Sequence, residues 1–301
     1  MLLSRFRGAL LAFAIGDALG SPYEGFDAKK VKKVWGKGRP EITDDTQLML
    51  STCESIVECG EVDLFDIARR MVILSDRGIL KRLGKRTRYA IKNLKKGVSP
   101  LKSGATGDWA AGSGGAMKIL GVAFFMHKCS SKELMSEVKK AVIVTHNNID
   151  AIEGAYVVAR IISQLLEKSD INFVSVCNIL SEITSEKLKE EIKKRLYILD
   201  DDRLSYKILP SIGTMPDIYS VLGNSIYCFL KYKPSFSKII ESAILAGGDT
   251  DTTAAIAGSF WGALYGNICI PVEYIGKLGS LSEYIIKIAD KLYERSLKKC
   301  E

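Results

Sequence analysis

The sequence predicts an all-α protein that folds as a compact, single-domain multi-helix bundle. Apolar residues recur at three- and four-residue spacing, the period of an amphipathic helix, along most of the 301 residues. No segment alternates convincingly in the way that a half-buried strand does. No proline- or serine-rich linker and no shift in composition divides the chain, so 1–301 is expected to form one domain.

The periodicity predicts about a dozen helices. They are 5–19, 46–59, 63–75, 116–127, 131–144, 149–167, 172–182, 185–198, 217–231, 235–246, 252–266 and 280–298. Polar, glycine-containing stretches interrupt them at 17–45, 98–115 and 246–253. Long loops in a compact domain often carry function, and the irregular stretch 200–216 is expected to border the same cleft.

Two of the predicted helices carry a stripe of small residues at four-residue intervals. The stripes are Gly8, Ala12, Gly16 and Gly20, and Ala254, Gly258, Gly262 and Gly266. An interior glycine costs about 1 kcal/mol relative to alanine in a helix. Close packing of the two backbones is the expected compensation, so we expect these helices to be neighbours at the centre of the bundle.

Composition argues against several classes of protein. The formal net charge of +8 weakly favours phosphate-bearing ligands, but the lysines are dispersed, so no nucleic-acid partner is expected. The uncharged run 252–271 is rich in glycine and lacks a basic flank, which favours a buried helix over a membrane span. Two histidines in the whole chain argue against a His-rich zinc site.

The cysteine pattern favours a reducing compartment. Seven cysteines form no CxxC pair, and most lie among apolar neighbours, as small buried thiols do. Cys300 is expected to lie in an exposed tail. We therefore expect a cytoplasmic protein without a membrane partner, and the sequence leaves its oligomeric state open.

Two short motifs place paired acids directly before helices. "TDDT" at 43–46 and "DTDT" at 249–252 each hold two aspartates and two threonines. One acid is enough to cap a helix N-terminus, so two in each motif exceed that need. If the pairs converge, a divalent cation would relieve their repulsion, and oxygen ligands suit Mg²⁺ or Mn²⁺. Helix capping with surface acids is the alternative.

A glycine-rich turn, "GSGGAMK" at 112–118, leads into a helix. Its backbone N–H groups could hold a phosphate or a pyrophosphate, although a plain helix-entry loop has the same pattern. Glu24 follows a turn and either reaches a site or faces solvent. His146 ends an apolar helix, where a histidine is commonly a C-cap or core-edge residue.

Taken together, these stretches resemble the ADP-ribosylglycohydrolase family, which includes enzymes that reverse protein ADP-ribosylation and the related crystallin J1. The matching segments occur in the family's order and span most of the chain. They are "GALLAFAIGDALGSPYE" at 8–24, "TDDTQL" at 43–48, "GSGGAMK" at 112–118, "TH" at 145–146 and "GGDTDTTAAIAGSFWGALYG" at 247–266.

The resemblance implies an all-α fold with a central cleft that holds two magnesium ions, manganese being possible. It implies that the metal ligands are Thr43, Asp44, Asp45, Asp249, Asp251 and Thr252. Asp251 would bridge the metals, and Asp45 or Glu24 would be the general base. The implied substrate-binding residues are Glu24, Ser113, Gly114, Gly115, Met117, His146 and Gly248.

The implied reaction is magnesium-dependent cleavage of the glycosidic bond between ADP-ribose and a modified protein side chain. Tyr23 or Trp109 could stack on the adenine. Two departures bear on the substrate: Lys118 stands where the family often has arginine, and Asn147 and Asn148 follow His146, where a second histidine is common.

Three other functions stay open at this stage. The chain could hydrolyse a free nucleotide or an ADP-ribose derivative with a metal, or it could be a non-enzymatic descendant, as a lens crystallin is. The intact acids argue against the second of these. A nucleic-acid-binding helical protein, suggested only by the charge, would leave the acidic motifs unexplained.

Overall fold

The computed structural model describes residues 1–167 and 170–299. Within these ranges the chain forms sixteen α-helices and no β-strand, which confirms the all-α prediction. The first eight are α1 (Leu2–Gly20), α2 (Ala28–Val34), α3 (Asp44–Cys59), α4 (Leu64–Asp76), α5 (Lys85–Lys95), α6 (Leu120–Phe125), α7 (Ser131–Ile143) and α8 (Ile149–Leu166).

The second half of the chain continues the bundle. Its helices are α9 (Phe173–Ser181), α10 (Glu186–Leu196), α11 (Ser205–Ile212), α12 (Ile218–Tyr232), α13 (Phe236–Leu245), α14 (Thr250–Tyr265), α15 (Val272–Gly276) and α16 (Leu281–Lys298). Short 3₁₀ turns lie at Ser21–Tyr23, Asp108–Ala110, Ser113–Gly115 and Asn267–Cys269.

All twelve predicted helices are present, but the count of about a dozen is too low. The missed helices are α2, α5, α11 and α15. The first two are mostly basic, α11 contains Pro210, and α15 has five residues, so none shows a long apolar period. The predicted helix 116–127 is wrong in its start, because the chain leaves the Ser113–Gly115 turn and enters α6 only at Leu120.

Helices α1 and α14 pack against each other, antiparallel, at the centre of the bundle, as their stripes of small residues predicted. A Cβ on Gly258 would lie 2.7 Å from Ala12 O, and one on Gly8 would lie 2.6 Å from Gly262 O. A Cβ on Gly20 would lie 2.5 Å from the Asp251 Cα. The C-terminal end of α1 therefore meets the N-terminal end of α14.

The remaining helices surround this central pair. Helices α12 and α13 pack on α14, while α3 and α16 pack on α1 and on each other. Helix α14 is buried from Thr250 to Ala263, and α1 is buried from Phe6 to Gly20 except at Arg7 and Leu19. Among the described residues, none of the helices combines the length and the hydropathy that a membrane span requires.

The cysteines are less buried than their apolar neighbours suggested. Within the described ranges only Cys53 and Cys228 are buried, whereas Cys59 and Cys269 are exposed. The expectation that most of these thiols are buried is therefore wrong. Cys300 lies outside the described residues.

Candidate functional site

The two acidic motifs, which lie far apart in the sequence, line a single cavity of about 520 Å³. It opens where the end of α1 meets the first turns of α3 and α14. The predicted site residues that line it are Glu24, Asp44, Asp45, Ser113, Gly114, Met117, His146, Asp249, Asp251 and Thr252. The acidic pairs therefore meet, while their role as metal ligands stays a prediction.

A buried aspartate of α1 fixes the first turn of α3. The Asp17 carboxylate is fully buried and accepts hydrogen bonds from the backbone N–H and the hydroxyl of both Thr43 and Thr46. Thr43 is also the N-cap of α3, because its Oγ1 accepts from the Asp45 N–H at 3.2 Å. Thr43 thus has a capping role and does not line the cavity. Sequence reasoning missed Asp17, whose signal was a lone acid in an apolar helix.

Asp44 and Asp45 are buried in the first turn of α3 with little to offset their charge. Burial raises the pKa of Asp44 to about 8. Burial, followed by the charges of Asp17 and Asp44, raises the pKa of Asp45 well above its usual range. Asp45 Oδ2 is buried and has no hydrogen-bond partner among the described residues. An unpaired carboxylate oxygen of this kind needs a partner, and a cation would supply it.

The N-terminus of α14 presents the second acidic pair. Asp249 occupies the N-cap position, yet its side chain caps no backbone N–H and instead accepts from Ser113 Oγ at 3.0 Å. Thr250 Oγ1 donates to Gly20 O at 2.8 Å and so ties this turn to α1. Burial, followed by the Asp249 charge, raises the pKa of Asp251 well above its usual range. Capping therefore does not account for Asp249.

Two glycines tie the Glu24 segment to the start of α14. Gly248 N–H donates to Phe26 O, and Gly25 N–H donates to Gly248 O, each at 2.8 Å. Gly247 and Gly248 have φ angles of +74° and +79°, which favour glycine. Gly248 therefore shapes the backbone beside Glu24 and does not itself line the acidic cavity.

Glu24 stands at the rim of the cavity. Its side chain is 39% exposed and lies 3.6 Å from the Arg82 guanidinium. Partial burial and then the Asp249 charge raise the pKa of Glu24, against the opposing effect of Arg82. Arg82 has a φ of +56°, uncommon for a residue with a side chain, and donates to Ser21 O. Backbone strain of this kind gathers at functional sites.

The glycine-rich turn forms the wall next to Asp249. Ser113, Gly114 and Met117 line the cavity, whereas Gly115 faces away from it, toward Val142. Gly114 lies against the His146 ring, since a Cβ on Gly114 would be 2.7 Å from His146 Cε1. Glycine at this position leaves the cavity-facing edge of the imidazole uncovered.

A basic segment that sequence reasoning missed lines the same cavity. It is "KRLGKRTR" at 81–88, of which Arg82, Lys85, Arg86 and Arg88 border the cavity. The Arg86 guanidinium donates to Trp109 O and, at 3.2 Å, to Pro216 O. The only available signal was the density of positive charge, which usually marks a solvated surface.

The two candidate aromatics have different positions. Trp109 lines the cavity, is 49% exposed and contacts Tyr89 edge-on, with ring centroids 5.5 Å apart. Tyr23 is buried, packs on Trp35, and accepts a 2.9 Å hydrogen bond from Gly36 N–H. Tyr23 does not line the acidic cavity, so only Trp109 is placed to contact a ligand there.

The donor set suits a hard divalent cation. The cavity end beside α3 and α14 offers only oxygen donors, with Asp45 Oδ2 buried and unpaired. Among the described residues, no three Asp, Glu, His or Cys side chains already surround a common metal position.

The fold and the cavity are those of an all-helical hydrolase, and the comparisons with known proteins identify its family. The ADP-ribosylglycohydrolase family model matches residues 1–301. The chain belongs to the ADP-ribosylglycohydrolase family and is a hydrolase of ADP-ribose linkages.

Relatives match over almost the whole chain. An uncharacterized protein of Archaeoglobus fulgidus is 29% identical over 98% of this chain and 97% of its own length. The ADP-ribosylarginine hydrolase Tri1 of Pseudomonas putida is 27% identical over 98% of this chain and 79% of its own. The human ADP-ribosylhydrolase ARH3 is 25% identical over 90% of this chain and 88% of its own.

A solved structure shares the fold. A chain of an ADP-ribosylglycohydrolase-related protein complex superposes with a TM-score of 0.78 over 98% of this chain and 99% of its own. The two sequences are 23% identical, so the likeness concerns the arrangement of the helices.

Proposed function

We propose that the protein is a Mg²⁺-dependent hydrolase that releases ADP-ribose from modified protein side chains, and that it acts in the cytoplasm. The observation that carries this proposal is the composition of one cavity, which joins four buried aspartates to a basic segment and a glycine-rich turn. ADP-ribose offers a matching pair of features, because its ribose hydroxyls suit a metal centre and its diphosphate suits basic side chains.

The oxygen donors at the α3 and α14 termini would hold the cations. They are Thr43, Asp44, Asp45, Asp249, Asp251 and Thr252. Bound Mg²⁺ would orient the distal ribose and act as a Lewis acid there. The fit is supported by the raised pKa values of Asp44, Asp45 and Asp251, which report carboxylates that lack compensation for their charge.

Glu24 is the better candidate for the general base. It is exposed at the rim and has a raised pKa, so it can exchange a proton with solvent and with a water beside the scissile bond. Asp45 is buried among other acids and suits a ligand role. Glu24 would take one proton of the attacking water as the water oxygen bonds to C1″ and the bond from C1″ to the side-chain atom breaks. The leaving group would take a proton from solvent, and Glu24 at the exposed rim would return its proton to solvent.

The diphosphate would lie between the glycine-rich turn and the basic segment. Backbone N–H groups near Gly114 and the Arg86 guanidinium are the donors available to its oxygens. Trp109, exposed at the same cavity, offers a face for the adenine. These contacts would bind ADP-ribose whatever side chain it leaves.

A release assay tests the proposal. Arginine-linked and serine-linked ADP-ribosyl proteins would be incubated with the enzyme in Mg²⁺ and in EDTA, with liberated ADP-ribose measured by chromatography. Arginine comes first, because the Pseudomonas putida relative is named for that linkage. Release that requires Mg²⁺ and is lost in Glu24→Gln supports the proposal. Equal release in EDTA, or hydrolysis only of free ADP-ribose derivatives, would refute it.

A further inference from the structure

We propose that Lys118 and Thr145 are positioning residues that hold the His146 imidazole with its proton on Nε2, where it faces the cavity as a donor to a substrate phosphate oxygen. The nature of the ligand rests on the proposed function. The tautomer of His146 does not, because it follows from contacts within the protein alone.

Lys118 is an isolated buried cation. Its side chain is fully buried, and Nζ donates to Thr145 Oγ1, its only hydrogen-bond partner among the described residues. A lysine without an acidic partner is costly to bury, which favours a functional role for it. Burial lowers the pKa of Lys118 to about 7, and the amine retains N–H groups to donate in either protonation state.

The Thr145 hydroxyl, which accepts from Lys118, also contacts His146. Its single proton can go to His146 Nδ1 at 2.8 Å or to Val142 O at 3.3 Å. The shorter distance is the ordinary one for a hydroxyl donor, whereas the longer one is outside that range. Because Lys118 Nζ donates to Oγ1, the hydroxyl proton goes to Nδ1, and Nδ1 is left as an acceptor.

With Nδ1 accepting, the one proton of a neutral imidazole lies on Nε2. Burial, followed by the charges of Lys118 and Arg86, lowers the pKa of His146 well below its usual range, so the ring is neutral at pH 7. Nε2 has no hydrogen-bond partner among the described residues, and a Cβ on Gly114 would lie 3.2 Å from it. The Nε2–H is therefore free to bind an anionic oxygen in the cavity that His146 lines.

The second histidine supplies an internal reference of the opposite tautomer. His127 Nδ1 lies 2.8 Å from Phe124 O, which can only accept, so its proton must be on Nδ1. His127 Nε2 is buried and has no hydrogen-bond partner within the described ranges, which agrees with a nitrogen that carries no proton. These are the only two histidines in the chain, so a histidine-labelled spectrum contains two rings.

The test is a ¹⁵N spectrum of the full chain labelled at histidine, with His127→Gln to assign the signals. We expect wild-type His146 to show a protonated Nε2 and His127 a protonated Nδ1 near pH 7. Lys118→Met and Thr145→Val should shift His146 toward a mixture of tautomers, while Lys118→Arg and Thr145→Ser, which keep the donor and the hydroxyl, should retain Nε2–H. A wild-type His146 protonated on Nδ1, or unchanged signals in both disruptive variants, would overturn the proposal.

Binding of ADP-ribose tests whether His146 Nε2–H donates to a phosphate oxygen of the ligand. Calorimetry should show about tenfold weaker binding in Lys118→Met and near-normal binding in Lys118→Arg, since a hydrogen bond to a charged group is lost only in the first. The wild-type spectrum decides the tautomer even if Lys118→Met does not fold, and Thr145→Val compared with Thr145→Ser then supplies the binding test. A shifted tautomer with unchanged affinity would refute the phosphate contact. A wild-type enzyme that has the expected tautomers but releases no ADP-ribose would refute the proposed function and leave the Lys118–Thr145 arrangement standing.

Discussion

Ser113 Oγ donates a 3.0 Å hydrogen bond to Asp249 Oδ2, which joins the glycine-rich turn to the first residue of the acidic motif before α14. The Asp249 side chain therefore caps no helix N–H, and the glycine-rich turn is linked directly to the carboxylates. A ligand that displaces the turn would therefore also move Asp249.

Removal of one buried acid should abolish turnover and leave the fold intact. In Asp251→Asn we expect activity to fall by about a hundredfold or more, with an unchanged circular dichroism spectrum, because a proposed ligand is lost. Mg²⁺ should raise the melting temperature of the wild type by a few degrees, an effect that EDTA reverses, and should not raise that of the variant. Asp76→Asn, an exposed acid outside the cavity, is the control. An active, metal-independent Asp251→Asn would contradict the metal proposal.

Contact between α1 and α14 should make the glycine stripe intolerant of a single methyl group. A Cβ on Gly16 would collide with backbone atoms of Ala254, so Gly16→Ala should lower the free energy of unfolding by about 1–3 kcal/mol or more. Gly276→Ala is the matched control, because nothing lies within 4 Å of its Cβ position. Urea denaturation would measure both. Equal stability of the two variants would mean that the backbones do not pack this closely.

The buried lysine should make stability depend on pH in a defined direction. The pKa of Lys118 is lowered from 10.5 to about 7. Between these values the unfolded chain binds more protons than the folded chain, so stability rises with pH, by up to about 1.4 kcal/mol per unit. This contribution is complete above the unfolded pKa and is lost as pH falls through about 7.

Comparison of the wild type with Lys118→Met isolates this effect. The stability of the wild type relative to the variant should increase by on the order of 2 kcal/mol between about pH 7 and pH 9, as measured by denaturant titration. Lys139→Met, an exposed lysine on α7, should show no such trend. A pH-independent difference would show that Lys118 keeps an ordinary pKa.

Arg86 should contribute to the binding of a phosphate-bearing ligand. Arg86→Ala removes a guanidinium from the cavity wall, so the affinity for ADP-ribose should fall by about tenfold while the effect of added salt on binding becomes smaller. Arg77→Ala, which changes an exposed arginine outside the cavity, is the control. Identical affinities in the two variants would exclude the basic segment from the ligand site.

The sequence predicted helices with a long apolar period correctly, and it missed helices that are short or rich in basic residues. Long amphipathic helices were predicted because their apolar period is fixed by burial of one face. Helices α2 and α5 were missed because each is rich in basic residues and has few apolar ones to mark the buried face. The start of the predicted helix 116–127 was wrong because the apolar spacing continues through the residues between the Ser113–Gly115 turn and Leu120, where α6 begins.

Some residues of the cavity were also predicted from the sequence, and others were not. The paired aspartates were found because two acids in a capping position exceed a local need. Asp17 and Arg86 were not, because each acts through partners that are distant in sequence, and a lone acid or a basic run does not identify those partners. Thr43 was found as a ligand candidate, but only the structure showed that its hydroxyl is also bonded to Asp17.

The antiparallel pairing of α1 with α14 has a consequence for synthesis of the protein. Helix α1 leaves the ribosome first, yet the surface that covers its glycine stripe begins only at Thr250. At ordinary translation rates of about 5–20 residues per second, this apolar helix waits on the order of 10 to 50 s for its partner. The glycine stripe of α1 is therefore uncovered during that interval, and the cavity cannot be complete until the segment with Asp249 and Asp251 has emerged.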